Sequence, residues 1–158
     1  MIESILFTSL HTIAAVLWVG GIFLVYKVFR PTAIEQLEPP QRLQMFLGIF
    51  DRFFPWVWVF IAALVVSGYW DWYSRLAGIA DASLYMHLMH IIGWIMIVLF
   101  AWLYFVAYKQ FKTAVQNKEF PVAGAILNDK MRPVIVINLA LGILEAVIGA
   151  SGPYWTIL

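Results

Sequence analysis

The chain has 158 residues, 63% of them hydrophobic and 12% charged, against about 25% charged in an ordinary soluble domain. It contains no cysteine, which excludes disulfides, thiolate metal sites and thiol redox chemistry. Its net charge of +1 excludes nothing by itself. The basic residues sit beside apolar runs and form no stripe of their own, so nucleic-acid binding has no support.

The first apolar run extends from about Ile5 to Tyr26 and ends at Lys27 and Arg30-Pro31. It has no basic leading segment or small-residue cleavage site and is long enough to cross a bilayer, so it reads as a membrane helix and not as a cleavable signal peptide. The second run spans Phe53 to Trp70, with Pro55 expected in the first turn, where a missing N–H costs little. The third covers Leu84 to Tyr108, and the fourth covers Pro133 to Ala150, closed by Ser151-Gly152-Pro153. Each is close to the roughly 20 apolar residues that cross the hydrocarbon core as a helix. The period-2 alternation of a membrane barrel is absent. The fold class expected is therefore all-α: one four-helix transmembrane bundle over residues 1–158, with spans at 5–26, 53–70, 84–108 and 133–150.

Lys27, Arg30, Arg42 and Arg52 fall between spans one and two, and Lys109, Lys112, Lys118, Lys130 and Arg132 between spans three and four. The other side carries only Arg75. The positive-inside rule then places both termini on the non-cytoplasmic side and the charged loops in the cytoplasm, and the membrane expected is the plasma (inner) membrane of a bacterium, with periplasmic termini. Trp70, Trp72, Tyr73, Tyr85, Tyr154 and Trp155 are expected to form the outer aromatic belt, with Tyr26, Trp56, Tyr104 and Tyr108 toward the inner one. Leu43, Phe46, Leu47 and Phe50 follow Pro39-Pro40 at helical spacing, which reads as an interfacial helix or an inward extension of span two. Val122 to Leu127 reads the same way more weakly. A faint internal echo pairs spans one and three: His11/Trp18 with His87/Trp94, a Tyr-Lys pair at each end, and Arg-Pro at 30–31 and 132–133.

Ionisable groups inside a span are functional candidates, because hydrocarbon makes them expensive. His11 lies roughly 9 Å below the outer end of span one, His87 and His90 roughly 5 to 9 Å down span three, and Glu145 roughly 8 to 10 Å down span four at 1.5 Å per residue. Three helices thus contribute to one layer. In Met86-His87-Leu88-Met89-His90, the pairs His87/His90 and Met86/His90 share a helical face. Imidazole and thioether are ligands for copper, and imidazoles from two helices suit the axial positions of a haem iron. Glu145 can serve as ligand, as orienting partner of a His, or as proton carrier. The blander readings are interfacial packing for each His, gap-filling for Met86 and Met89, and a hydrogen-bonded neutral carboxyl for Glu145. Asn138 is expected to hydrogen-bond between helices, Gly142, Ala146 and Ala150 to form a small-residue face, and Gly20-Gly21 to give room for packing or for a flat macrocycle.

The stretch Leu10-His11-Thr12-Ile13-Ala14-Ala15-Val16-Leu17-Trp18-Val19-Gly20-Gly21 resembles the first helix of CopD-like membrane proteins of copper resistance or uptake. It is also similar to the first helix of HemJ-type protoporphyrinogen oxidases, four-helix proteins that bind haem b. By this resemblance His11 takes the first-helix His of both groups, and His87 the third-helix His of the HemJ type. That type carries a Lys two positions on, where this chain has Met89, and CopD-like domains often carry an acidic residue where Asn138 stands. The resemblance therefore implies the superfamily and leaves the activity open.

Three functions compete. The first is a haem-dependent membrane oxidoreductase with no single catalytic residue assigned, holding haem b through His11 and His87 or His90, with a quinone or another membrane carrier as electron partner. The second is copper handling by His11, Met86, His87, Met89, His90 and Glu145. The third is a small non-catalytic subunit or homo-oligomer whose polar layer docks a partner. Haem ranks first here, since transport needs a polar path and the inner half offers little beyond Asn138.

Overall fold

The computed structural model describes residues 2–75 and 83–155, the side chains of Asp71, Ser74 and Arg75 excepted. Four long helices run through it: α1 (Ile2–Gln36), α2 (Pro39–Arg75), α3 (Leu84–Gln116) and α4 (Phe120–Tyr154). All four are long and apolar enough to cross a membrane, and the described residues contain no strand. The fold is an all-α membrane bundle, as the length of the apolar runs requires.

Every helix overshoots its apolar run at the basic end of the bundle. Gln41 to Phe50 form an inward extension of α2 and not a separate interfacial helix, because Leu43, Phe46 and Phe50 are buried in the same core as the span. Pro55 consequently lies inside a continuous helix and not in a first turn. It interrupts one rung of the backbone ladder, which an element of this length tolerates.

Three of the helices widen into π turns, at Leu24–Phe29, Leu103–Tyr108 and Ile126–Met131. Two of these directly precede Arg30-Pro31 and Arg132-Pro133. A π turn relaxes the clash between a proline ring and the preceding carbonyl, so each helix passes through its proline unbroken. The Arg-Pro echo in the sequence thus has a structural counterpart. The His-Trp echo does not, since Trp18 is buried and Trp94 is exposed.

Helices α3 and α4 are joined by a tight turn at Lys118, which has φ 61°. The Glu119 N–H donates to the Ala114 carbonyl at 2.8 Å and the Lys118 N–H to the Val115 carbonyl at 3.0 Å, the paired bonds of a Schellman motif with a lysine in the left-handed position.

Aromatic rings fill the space between α2 and α3 in the basic half: Phe50 against Phe54 at 4.9 Å, Phe54 against Tyr108 at 4.9 Å, and Phe54 against Phe100 at 5.5 Å. Close approach occurs elsewhere, through glycines. A Cβ on Gly142 would stand 2.6 Å from Val19 of α1, and one on Gly152 would stand 2.3 Å from the Tyr85 ring of α3. The contact face of α4 is therefore built on Gly142, Gly149 and Gly152, whereas Ala146 and Ala150 are exposed. Trp72 is also not a belt residue. It is buried, while Trp70, Tyr73 and Tyr154 are exposed.

Candidate functional site

The end of the bundle where α1 begins and α4 ends holds His11, His87, His90 and Glu145, in three separate surroundings. His11, half-buried on α1, places Nδ1 2.9 Å from the Ser67 hydroxyl of α2. Ser67 donates its own proton to the Ala63 carbonyl at 2.6 Å. The Ser67 contact therefore favours the Nδ1 hydrogen on His11, donating to Ser67. The absent side chain of Gly68 makes room for this arrangement, since a Cβ there would already lie 3.6 Å from His11 Cε1.

His90 is stacked on Trp72 of α2, ring centroids 4.6 Å apart at 28°, and His87 meets the same indole edge-on at 5.7 Å. The i, i+3 spacing thus brings both imidazoles onto one buried aromatic ring. The Tyr69 hydroxyl lies 3.3 Å from His90 Nε2. Met89 turns away from this group and packs its methyl against Gly149 of α4, 3.2 Å from where a Cβ would stand. This follows from helical geometry, since Met89 is about 200° around the helix from His87.

Glu145 is half-buried and faces the backbone of Gly93, whose N–H already serves the helix. Its Oε1 is buried without a hydrogen-bond partner among the described residues. No three of His, Cys, Asp and Glu gather as a metal-holding group among the described residues.

The room that Gly21 was expected to leave for a flat macrocycle is taken by Phe53, whose ring stands 2.4 Å from where a Cβ would be.

A second polar feature lies deeper. Trp18 of α1 and Asn138 of α4 are 3% and 2% exposed, and among the described residues neither Trp18 Nε1 nor Asn138 Oδ1 has a hydrogen-bond partner. The interhelical bond expected of Asn138 Oδ1 is thus absent among the described residues. Both residues line one cavity of about 20 Å³, enough for a single water molecule, which needs about 10–15 Å³. At the basic end, Asp51 of α2 accepts hydrogen bonds from Lys112, at 2.6 Å, and from the buried hydroxyl of Tyr108, both on α3. Ser67, Tyr69, Trp72 and Asp51 carry no signal in the sequence that marks them as partners of these groups, because the pairings join different helices.

Taken together, fold and side chains define a polytopic membrane protein with its imidazoles collected at one end of a four-helix bundle. The family model for copper resistance protein D (CopD) matches residues 47–151, well over half of the chain. The chain belongs to the CopD family. The match takes in α3 and most of α2 and α4, with His87, His90 and Glu145, and begins after the His11 helix. No curated protein and no solved structure matches the chain.

Proposed function

We propose that this protein handles copper, with Cu(I) as cargo and not as a resident cofactor, and that His87 and His90 are its first protein ligands. The observation that carries this reading is the pair of imidazoles gathered on Trp72 in a chain of the CopD family. Imidazole nitrogen and thioether sulfur are both accepted by copper, the latter favouring Cu(I). Met86, on the same face as His90 by its i, i+4 spacing, supplies a thioether next to the pair. Met89, against Gly149, is a relay ligand on the far side of α3. His11 and Glu145 stand as later polar contacts on α1 and α4.

Binding asks little of the site. His90 exchanges the Tyr69 hydroxyl, at the long end of hydrogen-bond distances, for the metal. The indole of Trp72 contacts both rings and covers one face of His90. The excess of Lys and Arg at the opposite end of the bundle supports a non-cytoplasmic position for the histidines, in the plasma membrane of a bacterium.

The test is anaerobic titration of the detergent-purified protein with Cu(I) against a chromogenic chelator, together with an absorption spectrum. Copper bound by the native protein and lost in His87→Ala/His90→Ala supports the reading. Equal binding by the variant, or a Soret band that disappears in His11→Ala, overturns it.

A further inference from the structure

A cavity of about 410 Å³ opens at the basic end of the bundle, between the last turns of α1 and the first turns of α2 and α4. Its volume is within the range of small-molecule sites, about 300–1,000 Å³. Arg30 and Arg42 line it together with Asn128, and Phe46, Phe120 and Leu127 contribute apolar wall. Both arginines are half-buried. Among the described residues neither is paired with a carboxylate, and no carboxylate lines the cavity. The Arg30 guanidinium lies 5.9 Å from the centroid of the Tyr26 ring, which fixes it in position without neutralising it.

Two partly desolvated guanidinium groups without a counter-ion are unfavourable unless an anion joins them. Guanidinium groups match phosphate oxygens geometrically, and the remaining wall is apolar, as an amphiphile requires. We propose that this cavity binds a phosphate-bearing anion, with Arg30 and Arg42 as its cationic partners. An anionic phospholipid headgroup has both the phosphate and the apolar continuation that the wall accepts, and basic pockets between membrane helices are a recurring headgroup site. A free phosphate compound supplies the same charge without the apolar part. The ligand would tie α1, α2 and α4 together at the end of the bundle farthest from His87 and His90. The inference stands independently of the copper reading.

The experiment measures the thermal midpoint of the purified full chain in neutral detergent, with added phosphatidylglycerol, phosphatidylcholine or inorganic phosphate. Binding to the folded state raises the midpoint by mass action. A rise of about 3 °C or more with phosphatidylglycerol, absent with phosphatidylcholine and lost in Arg42→Gln, establishes a headgroup site. The same rise with inorganic phosphate alone, again lost in Arg42→Gln, establishes a free anion as the ligand. Native mass spectrometry of retained phosphatidylglycerol, compared between the native chain and Arg30→Gln/Arg42→Gln, gives a readout that does not depend on the variant's own stability. No rise with either anion, an equal rise with phosphatidylcholine, or undiminished lipid retention in the double variant overturns the proposal.

Discussion

His90 lies face to face with Trp72, ring centroids 4.6 Å apart, while its Nε2 meets the Tyr69 hydroxyl at 3.3 Å. The stack fixes the plane of the imidazole, and the hydroxyl occupies the nitrogen that a metal would use. A ligand held this way is oriented in advance but must give up one contact on binding.

Tyr69→Phe tests that competition. Removing the hydroxyl leaves the stack in place and frees Nε2 from a hydrogen bond worth about 0.5–1.5 kcal/mol. Under the copper reading, Cu(I) affinity in chelator competition rises roughly 2- to 10-fold. Trp72→Ala removes the surface that both rings share, and affinity falls. Unchanged affinity in both variants would leave His90 without a role in copper binding.

The glycines of α4 separate close packing from mere smallness. In Gly152→Ala the new Cβ meets the Cβ and ring carbons of Tyr85 at 2.3 to 2.7 Å, a clash that no rotation of the ring removes. Overpacking of this kind costs about 1–3 kcal/mol. Gly93→Ala has nothing within 4 Å of the new Cβ, and helix propensity favours alanine there by up to about 1 kcal/mol. Thermal midpoints should move in opposite directions. A parallel shift would contradict the packing described for α4.

The number and class of the helices were legible because apolar run length alone sets them. Where the helices stop was not legible. Leu43, Phe46 and Phe50 alternate with polar residues as an interfacial helix does, and only their burial against α3 and α4 shows that α2 continues through them. The His87/His90 pair follows from i, i+3 spacing, which is local. Its setting is not local, since Trp72 looks like any other aromatic residue beside Trp70 and Tyr73 until α3 is laid against it. Two of the three π turns depend on how a proline is accommodated by its own helix, a response that composition does not encode. The His-Trp-Gly-Gly helix that carries the resemblance most specifically lies before the family match, which begins at residue 47 and takes in the Phe53–Trp70 span and His87.

Lys118 is a point where the chain carries avoidable strain. It holds φ 61° at the end of α3, a conformation that costs a residue with a Cβ roughly 1 kcal/mol more than glycine. Lys118→Gly should keep both Schellman bonds and raise stability by up to about 1 kcal/mol. Chemical denaturation in detergent measures it, and a loss of stability would mean that the lysine side chain contributes more than its backbone costs.

Trp18 and Asn138 offer the strictest test of the interior. Each places a polar atom without a partner among the described residues beside the same small cavity, and a buried unsatisfied group costs about 1–3 kcal/mol. Asn138→Leu removes the carbonyl oxygen and fills space with apolar atoms, so stability should hold or rise. Trp18→Phe removes the indole donor but leaves a larger void, and stability should fall by about 1–3 kcal/mol. If a water molecule joins the two groups, their effects are coupled. The double variant then differs from the sum of the singles by about 0.5 kcal/mol or more, whereas strict additivity means that the two polar atoms act separately. Indole Nε1–H resonances make the same distinction directly. A cross-peak between the Trp18 indole proton and water, lost in Asn138→Leu, places a water molecule between α1 and α4.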